Sequence, residues 1–201
     1  MDKDIQEEVK LIKQSFRQMM DGAVAQSMRD KGVDYHLNWG VTLPRLREKA
    51  DEIGKNYDLA IALWKENVRE CKILATMVMP ADVILPEVVD IWMEQTETVE
   101  IAEQASMNLY QYLPYAPMKA FEWIASDKEL YQLCGFHVLS RLFMNGQEPN
   151  ERGINEFLDQ VHVALQSPNV TVRKAALNSL NRFAGLGLVY ERLADNILRR
   201  L

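Results

Sequence analysis

The sequence predicts an all-α protein, a curved α-solenoid of stacked helices, from three observations. Apolar residues recur at steps of three and four along most of the 201 residues, the period of helices that bury one face. No stretch keeps the period-two alternation of a half-buried strand, so no sheet is expected. The pattern also repeats: Val68-Arg69-x-Cys71-x-Ile73, Tyr131-Gln132-x-Cys134-x-Phe136 and Val172-Arg173-x-Ala175-x-Leu177 superimpose. Irregular periods of about 30–40 residues mark helical repeats that stack on their neighbours and present one extended concave face to a ligand.

The first element spans residues 2–29 as an amphipathic helix on Ile5, Val9, Ile12, Phe16 and Met20, with a break near Asp21-Gly22 and a stop at Lys31-Gly32. Residues 33–41 form a loop. Thr42 is the expected N-cap of the next helix, with Pro44 in its first turn, where a missing N–H costs nothing. That helix runs through Leu46, Ala50 and Ile53 to Gly54. Leu59 to Trp64 and Asn67 to Met79 make the next pair, closed by Pro80. Pro86 to Met93 follows, then Val99 to Leu113 before Pro114. Pro117 to Ile124 pairs with Leu130 to Met144. After the polar break Asn145 to Asn150 come Ile154 to Leu165, Val170 to Ala184 and Leu188 to Leu201.

Length and a 48% hydrophobic composition suit one domain over residues 1–201 with a continuous core. No apolar run is long enough to span a membrane, and the charged N-terminus MDKDIQEEVK lacks the apolar stretch of a signal peptide. A cytoplasmic location is therefore the default expectation. Cys71 and Cys134 sit in apolar helical patterns and are expected as buried thiols. His36, His137 and His162 are scattered, so neither a metal site nor a cofactor is expected. There is no Gly-rich phosphate loop and no local nucleophile motif.

Charge is unevenly spread. The net charge is −6, but residues 73–129 carry 2 basic and 10 acidic side chains, whereas residues 130–201 carry 8 basic and 6 acidic. No Lys or Arg lies between Lys72 and Lys119. A DNA-binding protein needs cations to neutralise phosphates. The centre of the chain would repel phosphate unless its acids point away from the ligand.

Several motifs in order carry a family resemblance. Tyr35-His36-Leu37-Asn38-Trp39-Gly40-Val41, then Pro44, Leu46-Arg47 and Ala50, form the first match. Leu63-Trp64 and Glu70 to Ala75 continue it. Trp92, Val99 to Gln104, Met107-Asn108-Leu109, Pro114 and Lys119 to Trp123 form the second, and Val172-Arg173-Lys174 a weaker third. Together, over roughly residues 20–185, they resemble the DNA alkylation repair family of HEAT-like-repeat proteins, whose best-known members are alkylpurine DNA glycosylases. Ser167-Pro168-Asn169 before Val172-Arg173 also looks like a HEAT repeat in its own right.

The resemblance implies a site. Cleaving the glycosidic bond of a cationic purine builds positive charge on the deoxyribose, which a carboxylate stabilises and aromatic rings flank. The family's central pattern, Trp-Asp-x-x-Asp, places Val99 at the Trp and Glu103 at the second Asp. The family's late Trp aligns with Asn178, and its basic pair before Gly135-Phe136 with Gln132-Leu133. Arg173-Lys174 keeps its charge. A misplaced carboxylate, shifted by about 1 Å, can cost roughly a hundredfold in rate, and each lost aromatic about 0.5–2 kcal/mol. Little or no glycosylase activity is expected.

Three readings follow. In the first, the chain binds duplex DNA, alkylated or distorted, without excising a base. Arg173 and Lys174 then serve as cations, with Arg69, Lys72 and Asn178 as further contacts. In the second it is an active glycosylase using Glu103. In the third it is a scaffold whose acidic centre takes a basic protein or peptide. Each residue also has a plainer role: Glu103 as an acid favoured near a helix N-terminus, Trp39, Trp64, Trp92 and Trp123 as packing, and Arg45, Arg47 and Lys49 as a solvated face.

Overall fold

The computed structural model describes residues 3–201, and its described residues form helices and connections with no strand. The expected start of the first helix at Asp2 lies outside the described residues. The chain divides into two compact units, one up to Gln104 and one from Ala105.

The first unit opens with α1 (Lys3–Gln18), which buries Val9, Ile12 and Phe16. The break at Asp21 is real: its carboxylate accepts from the N–H groups of Ala23 and Val24, capping α2 (Gly22–Asp30). The loop after α2 returns to this cap, where Asp21 N–H donates to the Trp39 carbonyl at 2.9 Å. Gly40 sits at φ +74°, and a Cβ there would lie 2.1 Å from the Asp21 oxygen. Only glycine fits so close an approach. Next come α3 (Leu43–Ile53), α4 (Tyr57–Trp64) and α5 (Arg69–Val78), with α4 and α3 both packed on α5, and α1 on α4. Thr42 precedes α3 in extended conformation, but its side chain makes no capping bond. Lys55 Nζ donates to the Met77 and Met79 carbonyls, satisfying the end of α5. Then come α6 (Pro86–Glu94), which seats Trp92 on Trp64 at 4.2 Å between parallel rings, and α7 (Val99–Asn108), whose start Thr98 caps through the Ile101 N–H.

The expected single helix Val99 to Leu113 is interrupted. α7 stops at Asn108, and Tyr110–Tyr112 form a 3₁₀ turn. Pro114 accounts for this, since it holds Leu113 extended (φ −63°, ψ 139°) and the chain tightens before it.

The second unit contains α8 (Ala116–Ile124), α9 (Glu129–Met144), α10 (Glu151–Leu165), α11 (Val170–Ala184) and α12 (Leu188–Leu198). α9 packs on both α8 and α11, and α11 also on α10 and α12. The α8–α9 contact is close at Gly135, where a Cβ would meet the Ala120 oxygen at 2.7 Å. Phe143, Phe157, Phe183 and Tyr190 join the later helices, their neighbouring rings 5.0–5.5 Å apart. Cys71 and Cys134 are buried free thiols. In the third copy of the repeat pattern Ala175 is buried, but Leu177 is exposed. No helix among the described residues is long and apolar enough to cross a membrane.

Candidate nucleic-acid interface

The residues singled out in the sequence fall in two places. The first surrounds the start of α5. Arg69 is 2% exposed and opens that helix, with its N–H donating to the Leu37 carbonyl. Its guanidinium makes a bidentate pair with Glu100 of α7, Nε to Oε2 at 2.8 Å and Nη2 to Oε1 at 2.6 Å. Nη1 donates to the Val41 carbonyl at 2.9 Å and to Glu70 at 3.2 Å. Glu70, fully buried, accepts in turn from the N–H groups of Trp39 and Val41. Tyr35 completes the cluster by donating to Glu100 at 2.6 Å, 3.0 Å from the Thr98 hydroxyl.

Burial alone would raise the Glu100 carboxyl, but the Arg69 hydrogen bonds and charge, helped by Tyr35, outweigh it and hold it below the ordinary carboxylate value. Burial and the bond to Glu100 push the Tyr35 phenol up. The whole cluster fastens the Tyr35–Val41 loop to α5 and α7. The expectation that Arg69 contacts phosphate does not hold in this geometry, because its donors are turned inward to carboxylates and a carbonyl. Lys72 likewise is half-buried, its ammonium 4.5 Å above the Trp64 ring and donating to the Trp64 carbonyl at 3.2 Å. Burial draws its pKa down, with Glu97 acting against that.

Glu103 lies on α7 one turn beyond Glu100 and is half-buried. Burial, and then the Glu100 charge, push its carboxyl upward. The cleft at the head of α5, bounded by Tyr35, His36, Arg69, Lys72, Glu97 and Thr98 among others and not lined by Glu103, encloses about 20 Å³. That is room for about one water, not a purine. All four tryptophans are packing residues, with Trp39 8%, Trp64 2%, Trp92 2% and Trp123 1% exposed. Val99, at the position of the family's first Trp, is 40% exposed.

The second place is α11. Asn169 caps it through the N–H groups of Thr171 and Val172, which fixes where its faces point. The inner face is Val172, Ala175, Ala176, Ser179, Leu180 and Phe183. The exposed face carries Lys174, Leu177, Asn178, Asn181 and Arg182. α11 has three bases and no acid. Asn178 donates to the Ser140 hydroxyl of α9 at 2.9 Å. Arg173 is half-buried and donates to the Ser167 and Pro168 carbonyls, so it clasps the turn leading into the helix. Asn181 and Arg182 lie outside the motifs that the sequence offers. Their signal was spacing: Lys174, Asn178 and Arg182 recur every four residues, on one helical stripe.

A family model described as DNA alkylation repair enzyme matches residues 12–185. A solved structure superposes with a TM-score of 0.83 at 19% identity, covering 94% of this chain and 81% of that chain. It is described as a new family of proteins related to the HEAT-like repeat DNA glycosylases with affinity for branched DNA structures. That likeness establishes the HEAT-like helical fold. No curated protein sequence matches the chain.

Proposed function

The chain belongs to the DNA alkylation repair enzyme family, and from that premise we propose that it binds distorted or branched duplex DNA through the exposed face of α11, with base excision lost or weak. The observation that carries the reading is α11 itself. In a chain of net charge −6, this helix has no carboxylate and sets Lys174, Asn178, Asn181 and Arg182 on one solvent face. Lysine and arginine neutralise phosphates, while asparagine amides donate to phosphate or sugar oxygens. Such contacts read backbone and shape rather than sequence, which suits a distorted ligand. The similar solved protein's affinity for branched DNA supports that choice of ligand.

The reduced catalytic role rests on the α7 carboxylates. Stabilising a cationic sugar needs an anionic carboxylate with room for the sugar. Burial and Glu100 both oppose the anionic form of Glu103. Glu100 is already neutralised by Arg69. The tryptophans that could flank a cationic base are buried in packing.

The test is fluorescence anisotropy of the purified chain with a labelled four-way junction and with linear duplex of the same length, across a salt series. Tighter binding to the junction, falling steeply with salt, is expected. Absence of binding to either DNA at low salt would overturn the reading.

A further inference from the structure

The surface opposite in character to α11 lies on α6 and the turn before it. Between Lys72 and Lys119 the chain has seven carboxylates and no base. Glu100 is committed to Arg69. Asp82, Glu87, Asp90, Glu94 and Glu97 are exposed. The inner face of α6 is Val89, Trp92 and Met93. On its outer face Ile91 is 51% exposed, with Glu87 one turn before it and Glu94 three residues after, on the same side. The lead-in adds Val83 at 53% and Leu85 at 59%. Scattered exposed apolar side chains are ordinary, but three within nine residues, in a stretch of chain that has acids and no base of its own, are not. The nearest bases lie outside it, Lys55 beside Asp82 and Lys72 beside Glu97.

We propose that this face docks a basic amphipathic segment of another protein. Its apolar side chains would lie on Val83, Leu85 and Ile91, and its Lys or Arg residues would meet Glu87, Asp90 and Glu94. Charge complementarity selects this occupant. Nucleic acid and anionic lipid are repelled by the same carboxylates, and an acidic partner is too. A peptide helix of about two to three turns reaches from an apolar anchor at Leu85 past Ile91. The inference does not depend on the DNA reading, since it concerns a different helix of opposite charge.

The probe is a fluorescein-labelled Leu/Lys amphipathic peptide of about 18 residues, titrated with the full chain at low salt. Three variants separate specific docking from bulk charge. Ile91→Ser keeps the charge and removes the anchor. Glu87→Gln with Glu94→Gln removes two rim charges. Glu156→Gln with Asp159→Asn removes two charges from α10 as a control. Ile91 is exposed, so its loss leaves the fold intact, and Leu85→Ser serves as a second anchor variant. Expected is binding weakened by about tenfold in each anchor variant and in the rim variant, with the α10 variant unchanged. Binding that ignores Ile91→Ser and Leu85→Ser, that weakens equally with the α10 variant, or that is absent altogether would overturn the proposal.

Discussion

Arg69 and Glu100, thirty-one residues apart in sequence, hold each other by two parallel hydrogen bonds of 2.8 and 2.6 Å. A cation expected to reach DNA is instead the centre of a buried ionic cluster that ties a loop to two helices. Removing one member of such a pair leaves the other charge stranded. Arg69→Met, which strands both Glu70 and Glu100, is expected to lower stability by about 3–5 kcal/mol. The midpoint of urea unfolding reports it, and a shift near zero would show that the cluster is not needed for the fold.

Acid should act through the same pair. The Glu100 carboxyl is held below its ordinary 4.5, since Arg69 and Tyr35 outweigh burial. A depressed native value gives stability that is complete above the unfolded value and lost as pH falls through the native one. The wild-type chain should therefore lose stability on acidification below 4.5. Glu100→Gln should start lower at neutral pH and lose less over that window. Thermal melts at a series of pH values check it, and parallel profiles would contradict it.

Two glycines are set by close approach. Gly40→Ala combines a positive φ with a Cβ 2.1 Å from the Asp21 oxygen. It is expected to cost about 3 kcal/mol or more. Gly135→Ala pushes α8 from α9 and should cost about 1–3 kcal/mol. A control, Gly146→Asn, has nothing within 4 Å and an αL-tolerant residue, so its melting temperature should stay nearly unchanged.

Glu103 can be tested as a catalyst. Base release from methylated duplex at low salt is expected to stay at background in the wild-type chain and in Glu103→Gln alike. Release that disappears with Glu103→Gln would establish the carboxylate as working and return the chain to the active glycosylases.

The fold was largely legible because helical period, Pro and Gly punctuation and Asn or Asp caps are local signals. Asp21, Asn150 and Asn169 each cap the helix that follows them. The 3₁₀ turn at Tyr110–Tyr112 was not, because the apolar spacing runs on past Asn108 while Pro114 decides the backbone. In the site, Lys174 and Asn178 proved exposed on one face. Arg69 could not be judged from its neighbours in sequence. Its partner Glu100 is remote, and whether an arginine faces solvent or a buried carboxylate depends on that tertiary pairing. Glu70 gives one hint, a carboxylate next to Arg69 at the head of a helix whose following residues Cys71, Ile73, Leu74 and Ala75 are all buried.

The most direct measurement compares the salt dependence of junction binding between the wild-type chain and Lys174→Ala with Arg182→Ala. If α11 lies on the phosphates, the slope of log affinity against log salt should fall in magnitude by about two, with junction affinity reduced at every salt concentration. An unchanged slope and affinity would show that the DNA lies elsewhere on the molecule.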